Sequence, residues 1–280
     1  MRSILKLAML AAALLLPILG APAFASDGVL EINQTCAVQT GCFAGDSAGF
    51  PVTITHSTPA RSFRLTSDLG PLPADKTAID ATGVAAAIDL GGFRIFGVSV
   101  CTGVPVTACA PTATGVGVDA GSNSVVTNGA ISGMGAAVHL SYAGRLSQMN
   151  AFSNGEGFVL GNESLAEGNL ATSNRTSGIV CGANCIVRGN AATGNGELGI
   201  RISEGGIASD NTANSNGNYG ISAGTGSTIQ GNTVRSNTVI GLALSTQSAY
   251  RENTISSNGA TVLFGTDAGG NVCNGSLTCP

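Results

Sequence analysis

The second half of the chain repeats with a period of about 21 residues. A fixed period of this length is typical of a solenoid, in which each repeat forms one coil and packs only against its neighbours. The repeat therefore constrains the architecture strongly and the activity weakly. It is clearest in a column of apolar residues at Phe158, Ile179, Ile200, Ile221 and Leu242, which the same spacing extends to Leu263.

Two columns of asparagine keep the same period. Asn tolerates the left-handed backbone conformation that sharp turns need, and its amide can bond to an identical Asn one coil away, forming a ladder. We therefore expect both columns to be structural and not to contact a ligand. By the same spacing, Glu167 and Arg188 are expected to form a surface ion pair. The first column contains Asn169, Asn190, Asn211, Asn232 and Asn253, and the second contains Asn174, Asn195, Asn216, Asn237 and Asn258.

Each repeat holds three short segments separated by clusters of Gly, Asn or Ser. Within the second segment the apolar residues stand two apart, as in Ile200 and Ile202, which is the period of a β-strand. Three strands and three turns fill the repeat, so one repeat closes one coil. The sequence predicts an all-β fold, a single-stranded parallel β-helix of about eight to ten coils whose strands stack about 4.8 Å apart.

Residues 1–25 have the organisation of a signal peptide. Arg2 and Lys6 precede an apolar run, and the small residues of APAFA end at an expected cleavage point after Ala25. A membrane anchor is the alternative, but the run is short for a span, and no later stretch is long and apolar enough. We expect an exported protein, periplasmic or extracellular, without a membrane span.

The charge of the mature chain argues against a nucleic-acid partner. Cleavage would remove Arg2 and Lys6, leaving 12 − 2 = 10 basic residues against 16 acidic ones, a net charge of −6. An acidic chain with so few cations binds a phosphate backbone poorly. The aromatic content of 4% and the 41 glycines suit a stack of short strands and tight turns.

The eight cysteines form four close pairs in the sequence. In an exported protein, an even number of closely spaced cysteines indicates disulfide bonds. Zinc is the alternative, but it needs His or clustered Cys pairs, and His56 and His139 are distant from these pairs in sequence. We expect no metal or other cofactor. Nearest-neighbour pairing is the simplest connectivity, joining Cys36 to Cys42, Cys101 to Cys109, Cys181 to Cys185 and Cys273 to Cys279.

Breaks in the repeat suggest the domain boundaries. An open solenoid end exposes a strand edge that must be covered, and neither end of the mature chain follows the repeat. The expected organisation is a signal peptide at 1–25, an N-terminal cap at 26–60, the β-helix at 61–272 and a C-terminal cap at 273–280.

One irregularity lies inside the predicted β-helix. The step from Gly91 to Asn128 is 37 residues, about 16 more than one coil. The excess coincides with residues 98–115, which contain Cys101 and Cys109. We therefore expect a loop that is closed by a disulfide and projects from one coil.

The rhythm GN-x-x-x-x-N-x-x-x-GI resembles the repeat of the right-handed parallel β-helix family, over roughly residues 75–271. That family includes pectate lyases, polygalacturonases, alginate epimerases, periplasmic NosD-like proteins and many exported bacterial proteins of unassigned role. The resemblance implies a right-handed, pectate-lyase-like coil with a surface groove along one strand face. It implies no particular reaction, because several chemistries and pure scaffolds share the fold.

Catalytic motifs of the family are missing. Polygalacturonase-like catalysis needs Arg-Ile-Lys, and the segment GIRIS places Ser203 where the Lys would stand. The Asp-Pro-His-Asp type of run used by alginate epimerases is also absent. Asp80, Asp89 and Asp119 lie in different early coils and are expected at strand ends or turns, and the isolated His139 is expected to be structural.

The densest acidic cluster of the sequence lies in one later coil. Glu197, Glu204 and Asp210 occur there with Arg201 among them. Acid–base chemistry would require them to converge, but they occupy different segments of the coil and are expected to be solvated turn charges. The outward column beside the second strand is bland over Val159, Val180, Arg201, Ser222 and Ala243.

Two functions from different classes follow. A regular repeat without a convergent polar set favours an exported, non-catalytic solenoid that binds a polysaccharide or a cell-surface component. The alternative is a polysaccharide lyase, hydrolase or epimerase, whose groove beside residues 98–115 would have to hold two carboxylates, or a carboxylate with an Arg. A periplasmic accessory role of the NosD type is a third option, and the oligomeric state is left open.

Overall fold

A computed structural model describes residues 28–279 of the chain. Within these residues the chain forms 31 β-strands and one five-residue π-helix, Cys36–Thr40. The predicted signal peptide lies outside the described residues. Over the described part of the chain, no helix has the length and apolar character needed to cross a membrane.

The strands are short and follow one another at nearly regular intervals. In chain order they are β1 (Val29–Ile32), β2 (Val52–Thr53), β3 (Ser62–Leu65), β4 (Leu69–Leu72), β5 (Ile79–Ala81), β6 (Ala87–Asp89), β7 (Arg94–Gly97), β8 (Val100–Thr102), β9 (Ala108–Ala110), β10 (Val116–Ala120), β11 (Val125–Ser132), β12 (Ala136–Leu140), β13 (Arg145–Phe152), β14 (Glu156–Leu160), β15 (Leu165–Glu167), β16 (Leu170–Thr172), β17 (Ile179–Cys181), β18 (Ile186–Arg188), β19 (Ala191–Thr193), β20 (Ile200–Ile202), β21 (Ile207–Ser209), β22 (Thr212–Asn214), β23 (Tyr219–Ala223), β24 (Thr228–Gln230), β25 (Thr233–Arg235), β26 (Ile240–Leu244), β27 (Ala249–Arg251), β28 (Thr254–Ser256), β29 (Ala260–Leu263), β30 (Thr266–Asp267) and β31 (Val272–Cys273).

Parallel pairing between successive coils builds two long sheets. The ten-stranded sheet takes one strand from each coil, namely β2, β5, β10, β12, β14, β17, β20, β23, β26 and β29. The remaining strands, apart from β8 and β9, form a nineteen-stranded sheet that supplies the other two sides of most coils. This is the predicted all-β parallel solenoid, with about ten coils and a repeat near 21 residues.

The interior is a stack of apolar columns. Ile179, Ile200, Ile221 and Leu242 are neighbours in register and fully buried, and each contributes about 1.5–3 kcal/mol through burial. The predicted extension to Leu263 is wrong: Leu242 pairs with Val262, and Leu263 is 40% exposed. The last coil is one residue shorter, and a one-residue slip turns a side chain to the opposite face.

The asparagine columns form buried ladders. Except at the last member of each ladder, the Nδ2 of an Asn donates to the Oδ1 of the Asn one coil later, for example from Asn190 to Asn211 at 3.0 Å. The backbone N–H of the same residue donates to that oxygen as well, at 2.9 Å for Asn190. The first ladder extends one coil further than the sequence pattern suggests, because Asn253 bonds to Asn271.

The expected left-handed conformation belongs to a different residue. None of the ladder asparagines has a positive φ within residues 28–279; the residue before each one does, as at Gly189 (φ 63°), Asp210 (φ 57°) and Ser215 (φ 54°). The bend is therefore made one position earlier. The Asn that follows turns its amide inward, where it satisfies backbone groups that the bend leaves without strand partners.

Both ends of the described part of the chain, residues 28–279, join the solenoid. Strand β1 already pairs in parallel with β3, before the boundary predicted at residue 61, and β31 pairs with β28. That the end segments shield the open edges stays a prediction. The structure contains the disulfide bonds Cys36–Cys42, Cys101–Cys109, Cys181–Cys185 and Cys273–Cys279.

Candidate functional site

A column of ionisable side chains lies on the outward side of the ten-stranded sheet. Asp80, Asp119 and His139 occupy consecutive positions in register on β5, β10 and β12. The expected strand-end or turn placement is wrong for Asp80 and Asp119, because both lie inside strands. Ile79 and Ala81, which flank Asp80, are fully buried, so strand alternation directs the carboxylate outward.

This column of ionisable residues is not evident from the repeat in the sequence. Its later members are the outward residues identified from the repeat, of which only Arg201 is charged. Its other charged members lie in the early coils, where the spacing is irregular. In the sequence His139 looks isolated, because its column neighbours Asp119 and Val159 each lie one residue nearer to it than the regular 21-residue step. Asp80 lies nearly two such steps before Asp119. The available signal was the alternation of IDA, VDA and VHL in three successive strands.

Residues 98–115 form a hairpin that folds back onto the coils. Strands β8 and β9 pair antiparallel, with Cys101 directly opposite Cys109. The expectation of a projecting loop is wrong: Val106 is 5% exposed, and its N–H donates to the carbonyl oxygen of Gly194 at 3.1 Å. Ser99 likewise donates from its N–H to the carbonyl oxygen of Gly133 at 3.2 Å. The hairpin thus lies along several coils and is held by backbone hydrogen bonds.

A cleft of about 170 Å³ separates the hairpin from the coils beneath it. We call it the hairpin cleft. Glu156 and Arg175 bring a carboxyl group and a guanidinium to its wall. The cleft is lined by Ser99, Cys109, Thr112, Ala113, Gly135, Gly155, Glu156, Arg175 and Thr176.

The two carboxyls nearest His139 are disfavoured in their charged forms. Burial raises the pKa of Glu156, the Glu197 carboxylate raises it further, and His139 and Arg201 act to lower it. Burial also raises the pKa of Asp119; His139 lowers it and Asp80 raises it. Both carboxyls therefore take up protons at higher pH than an exposed carboxyl does.

These raised pKa values predict the sign of a pH effect on stability. The folded protein holds protons on Asp119 and Glu156 more tightly than the unfolded chain, so their contribution is largest below the ordinary carboxyl pKa and is lost as pH rises through the folded pKa. Relative to the double variant Asp119→Asn and Glu156→Gln, the wild type should lose unfolding free energy as the pH rises from about 4, the ordinary carboxyl pKa, toward neutrality. Urea unfolding of both proteins across this range tests the difference; a constant or rising difference contradicts it.

The acidic cluster chosen from the sequence does not assemble. Glu197 precedes β20, Glu204 follows it, and Asp210 lies between β21 and β22. Glu197 acts instead on Glu156 of the preceding coils. The Glu167–Arg188 ion pair is confirmed, with 3.0 Å between Oε1 and Nη2.

Neither metals nor the remaining motifs add to this site. Within residues 28–279 no three His, Cys, Asp or Glu side chains come together in a way that would hold a metal ion. Asp89, the third early aspartate, lies on the outward side of the nineteen-stranded sheet. It forms an ion pair with Arg64, with 3.4 Å between Oδ2 and Nε.

Comparison with known proteins places the chain in a family. Residues 91–239 match the family described as the right handed beta helix region. This range covers more than half of the chain, so the protein belongs to that family, and the predicted handedness of the coil is confirmed. No curated protein sequence shows significant similarity to the chain.

Solved structures share the fold at low sequence identity. The A-module of the mannuronan C-5 epimerase AlgE4 from Azotobacter vinelandii is similar with a TM-score of 0.54 and 12% identity, covering 75% of this chain and 79% of that one. The periplasmic alginate epimerase AlgG is similar with a TM-score of 0.50 and 11% identity, covering 84% of this chain and 80% of that one. At such identities the likeness concerns the fold alone.

Proposed function

We propose that the protein is exported and binds a polysaccharide at the hairpin cleft and along the outward side of the ten-stranded sheet. The observation that carries this proposal is the hairpin cleft itself, which is lined by Glu156 and Arg175. Glu156 also interacts electrostatically with His139, a member of the column that contains Asp80 and Asp119. Four disulfides support an oxidising location outside the cytoplasm. The epimerases that share the fold act on such polymers, which adds support by analogy.

Polar groups at the wall of the cleft suit a hydroxyl-rich ligand. Glu156, Arg175 and Thr176 bring a carboxyl, a guanidinium and a hydroxyl to its lining. Such groups donate hydrogen bonds to sugar hydroxyls and accept hydrogen bonds from them.

A catalytic role is the second candidate. Its specific support is the raised pKa of Glu156 together with His139, because acid–base catalysis needs a proton donor and a proton acceptor near the working pH. Glu156 would donate the proton and His139 accept one. The reaction classes that belong to this candidate are lysis, hydrolysis and epimerisation of a polysaccharide.

Binding depends on Arg175 in this proposal. A hydrogen bond to a charged group contributes about 1.5–3 kcal/mol, so Arg175→Ala should weaken the binding of a recognised polysaccharide about tenfold to a hundredfold. Arg235→Ala is the matched control, since Arg235 is exposed on the far coils and should leave binding unchanged. Affinity electrophoresis in gels containing alginate, polygalacturonate or laminarin measures both variants.

The outcomes separate the candidates. Retarded migration of the wild type without new reducing ends, unsaturated products or epimerised residues supports a binding protein. Turnover that disappears in Glu156→Gln supports the catalytic candidate. If no polymer retards the wild type, or if Arg175→Ala migrates like the wild type in every polymer, the hairpin cleft is not the binding site.

A further inference from the structure

A second groove lies at the opposite end of the same strands. It has a volume of about 330 Å³ and occupies the turns that follow β10, β12, β14 and β17. Five-residue strands such as β12 and β14 place it about 16 Å from the hairpin cleft. We call it the turn groove, and it is lined by Asn123, Ala143, Gly144, Arg145, Glu163, Ser164, Leu165, Asn184 and Ile186.

The shape of the turn groove follows from one small residue in a stacked column. Asn123, Ala143, Glu163 and Asn184 hold the left-handed position of successive coils, with φ of 61°, 55°, 60° and 56°. The N–H of each donates to a carbonyl of the next coil, for example from Ala143 to Asn162 at 2.9 Å. The methyl of Ala143 therefore sits between longer side chains on a fixed backbone and leaves a notch.

Three polar side chains of the turn groove are free. Among residues 28–279, the side chains of Asn123, Arg145 and Asn184 have no hydrogen-bond or ion-pair partner. Other stacked side chains do pair with one another, as Gln230 does with Arg251 at 2.7 Å and with Glu252 at 2.8 Å. Two amides and a guanidinium thus converge on one notch with unused donors.

The turn groove also offers apolar contact. Leu165 and Ile186 form one side, and Ile186 is 40% exposed. Tyr142 borders the notch, is 47% exposed, and donates its hydroxyl hydrogen bond to Oε2 of Glu163. This bond orients the ring and leaves Oε1 of Glu163 as a free acceptor. An aromatic face and aliphatic carbons beside amide, carboxylate and guanidinium groups match the C–H faces and hydroxyl edges of a sugar ring.

We infer that the turn groove binds one neutral sugar unit. One guanidinium and one carboxylate balance each other, so the site has no net charge to select an anion, and its two amides offer donors and acceptors to vicinal hydroxyls. The inference extends the proposed function to a second site. It stands or falls separately, because none of its residues lines the hairpin cleft.

The absence of Trp from the chain makes the test specific. Tyr142→Trp places a single indole at the rim of the turn groove, and Phe264→Trp, at a residue 60% exposed on the last coil, is the control. Titration with cellohexaose, maltohexaose, laminarihexaose and xylohexaose should change the emission of the first protein saturably for at least one sugar and leave the second unchanged. Adding Ala143→Lys, which fills the notch, should weaken that response at least about tenfold.

Saturation-transfer NMR on the unlabelled wild type guards against damage by the reporter. The same oligosaccharide should show transfer with the wild type and with Arg175→Ala, and lose it with Ala143→Lys. Absence of transfer from every sugar to the folded wild type, or equal transfer with Ala143→Lys, overturns the inference. Loss of transfer in Arg175→Ala alone would assign the signal to the hairpin cleft and also overturn it.

Discussion

Replacing Asn195 by Ala is expected to lower the free energy of unfolding by about 3–5 kcal/mol. The Oδ1 of Asn195 accepts from the backbone N–H of Asn174 at 3.1 Å and from its Nδ2 at 3.0 Å. The Nδ2 of Asn195 donates to the carbonyl of Ala171 at 3.1 Å and to Oδ1 of Asn216 at 3.0 Å. Removing the amide leaves these four groups buried without that partner, and each such group costs about 1–3 kcal/mol, less than additively.

The measurement is chemical unfolding combined with amide hydrogen exchange. A solenoid can open locally, so exchange at Asn174 and Asn216 reports whether the loss is centred on the ladder. Asn218→Ala is the matched control, because Asn218 lies in the adjacent coil and its side chain makes no hydrogen bond within the described residues. A loss below about 1 kcal/mol for Asn195→Ala, or an equal loss for Asn218→Ala, would show that the ladder is dispensable.

The ladder also shows which features of the fold the repeat spacing predicts and which it does not. The ladder positions of Asn174 and Asn195 are predictable, because an inward position in a regular coil recurs at a constant step. The buried column around Ile200 is predictable for the same reason. The left-handed residue was placed one position too late, since the step fixes the column and not the dihedral angle of its members. Leu263 was misplaced because a one-residue deletion in the last coil reverses the strand face.

The candidate site was less predictable because it depends on irregular coils and on a long-range contact. Asp80 and Asp119 meet across an interval lengthened by the hairpin, so their column is invisible to a search at the regular step. Docking of Val106 against Gly194 joins segments that lie several coils apart in sequence. Neither local alternation nor repeat spacing specifies such a contact; it arises from packing of the inserted segment against coils that are already regular.

Gly196 anchors that packing, and its replacement should affect stability and binding together. A Cβ at Gly196 would overlap the carbonyl oxygen of Arg175 and lie 2.7 Å from the carbonyl oxygen of Val106. Both atoms belong to the backbone and cannot rotate away, as a side chain could. Val106 is part of the hairpin, and the side chain of Arg175 lines the hairpin cleft. Relief of the overlap must therefore move the hairpin, the coil or both.

Gly196→Ala is therefore expected to lower the free energy of unfolding by about 1–3 kcal/mol, as overpacking of a rigid site does. It should also weaken polysaccharide binding at the hairpin cleft about tenfold, since displacement of Arg175 or of the hairpin separates the two walls. Gly83→Ala is the control: a Cβ there meets nothing within 4 Å, so the change should be neutral or stabilise by up to about 1 kcal/mol. Urea unfolding and affinity electrophoresis of both variants give the comparison. Equal stability of the two variants would mean that the backbone at Gly196 yields freely, and unchanged binding by a destabilised Gly196→Ala would separate the hairpin from the binding site.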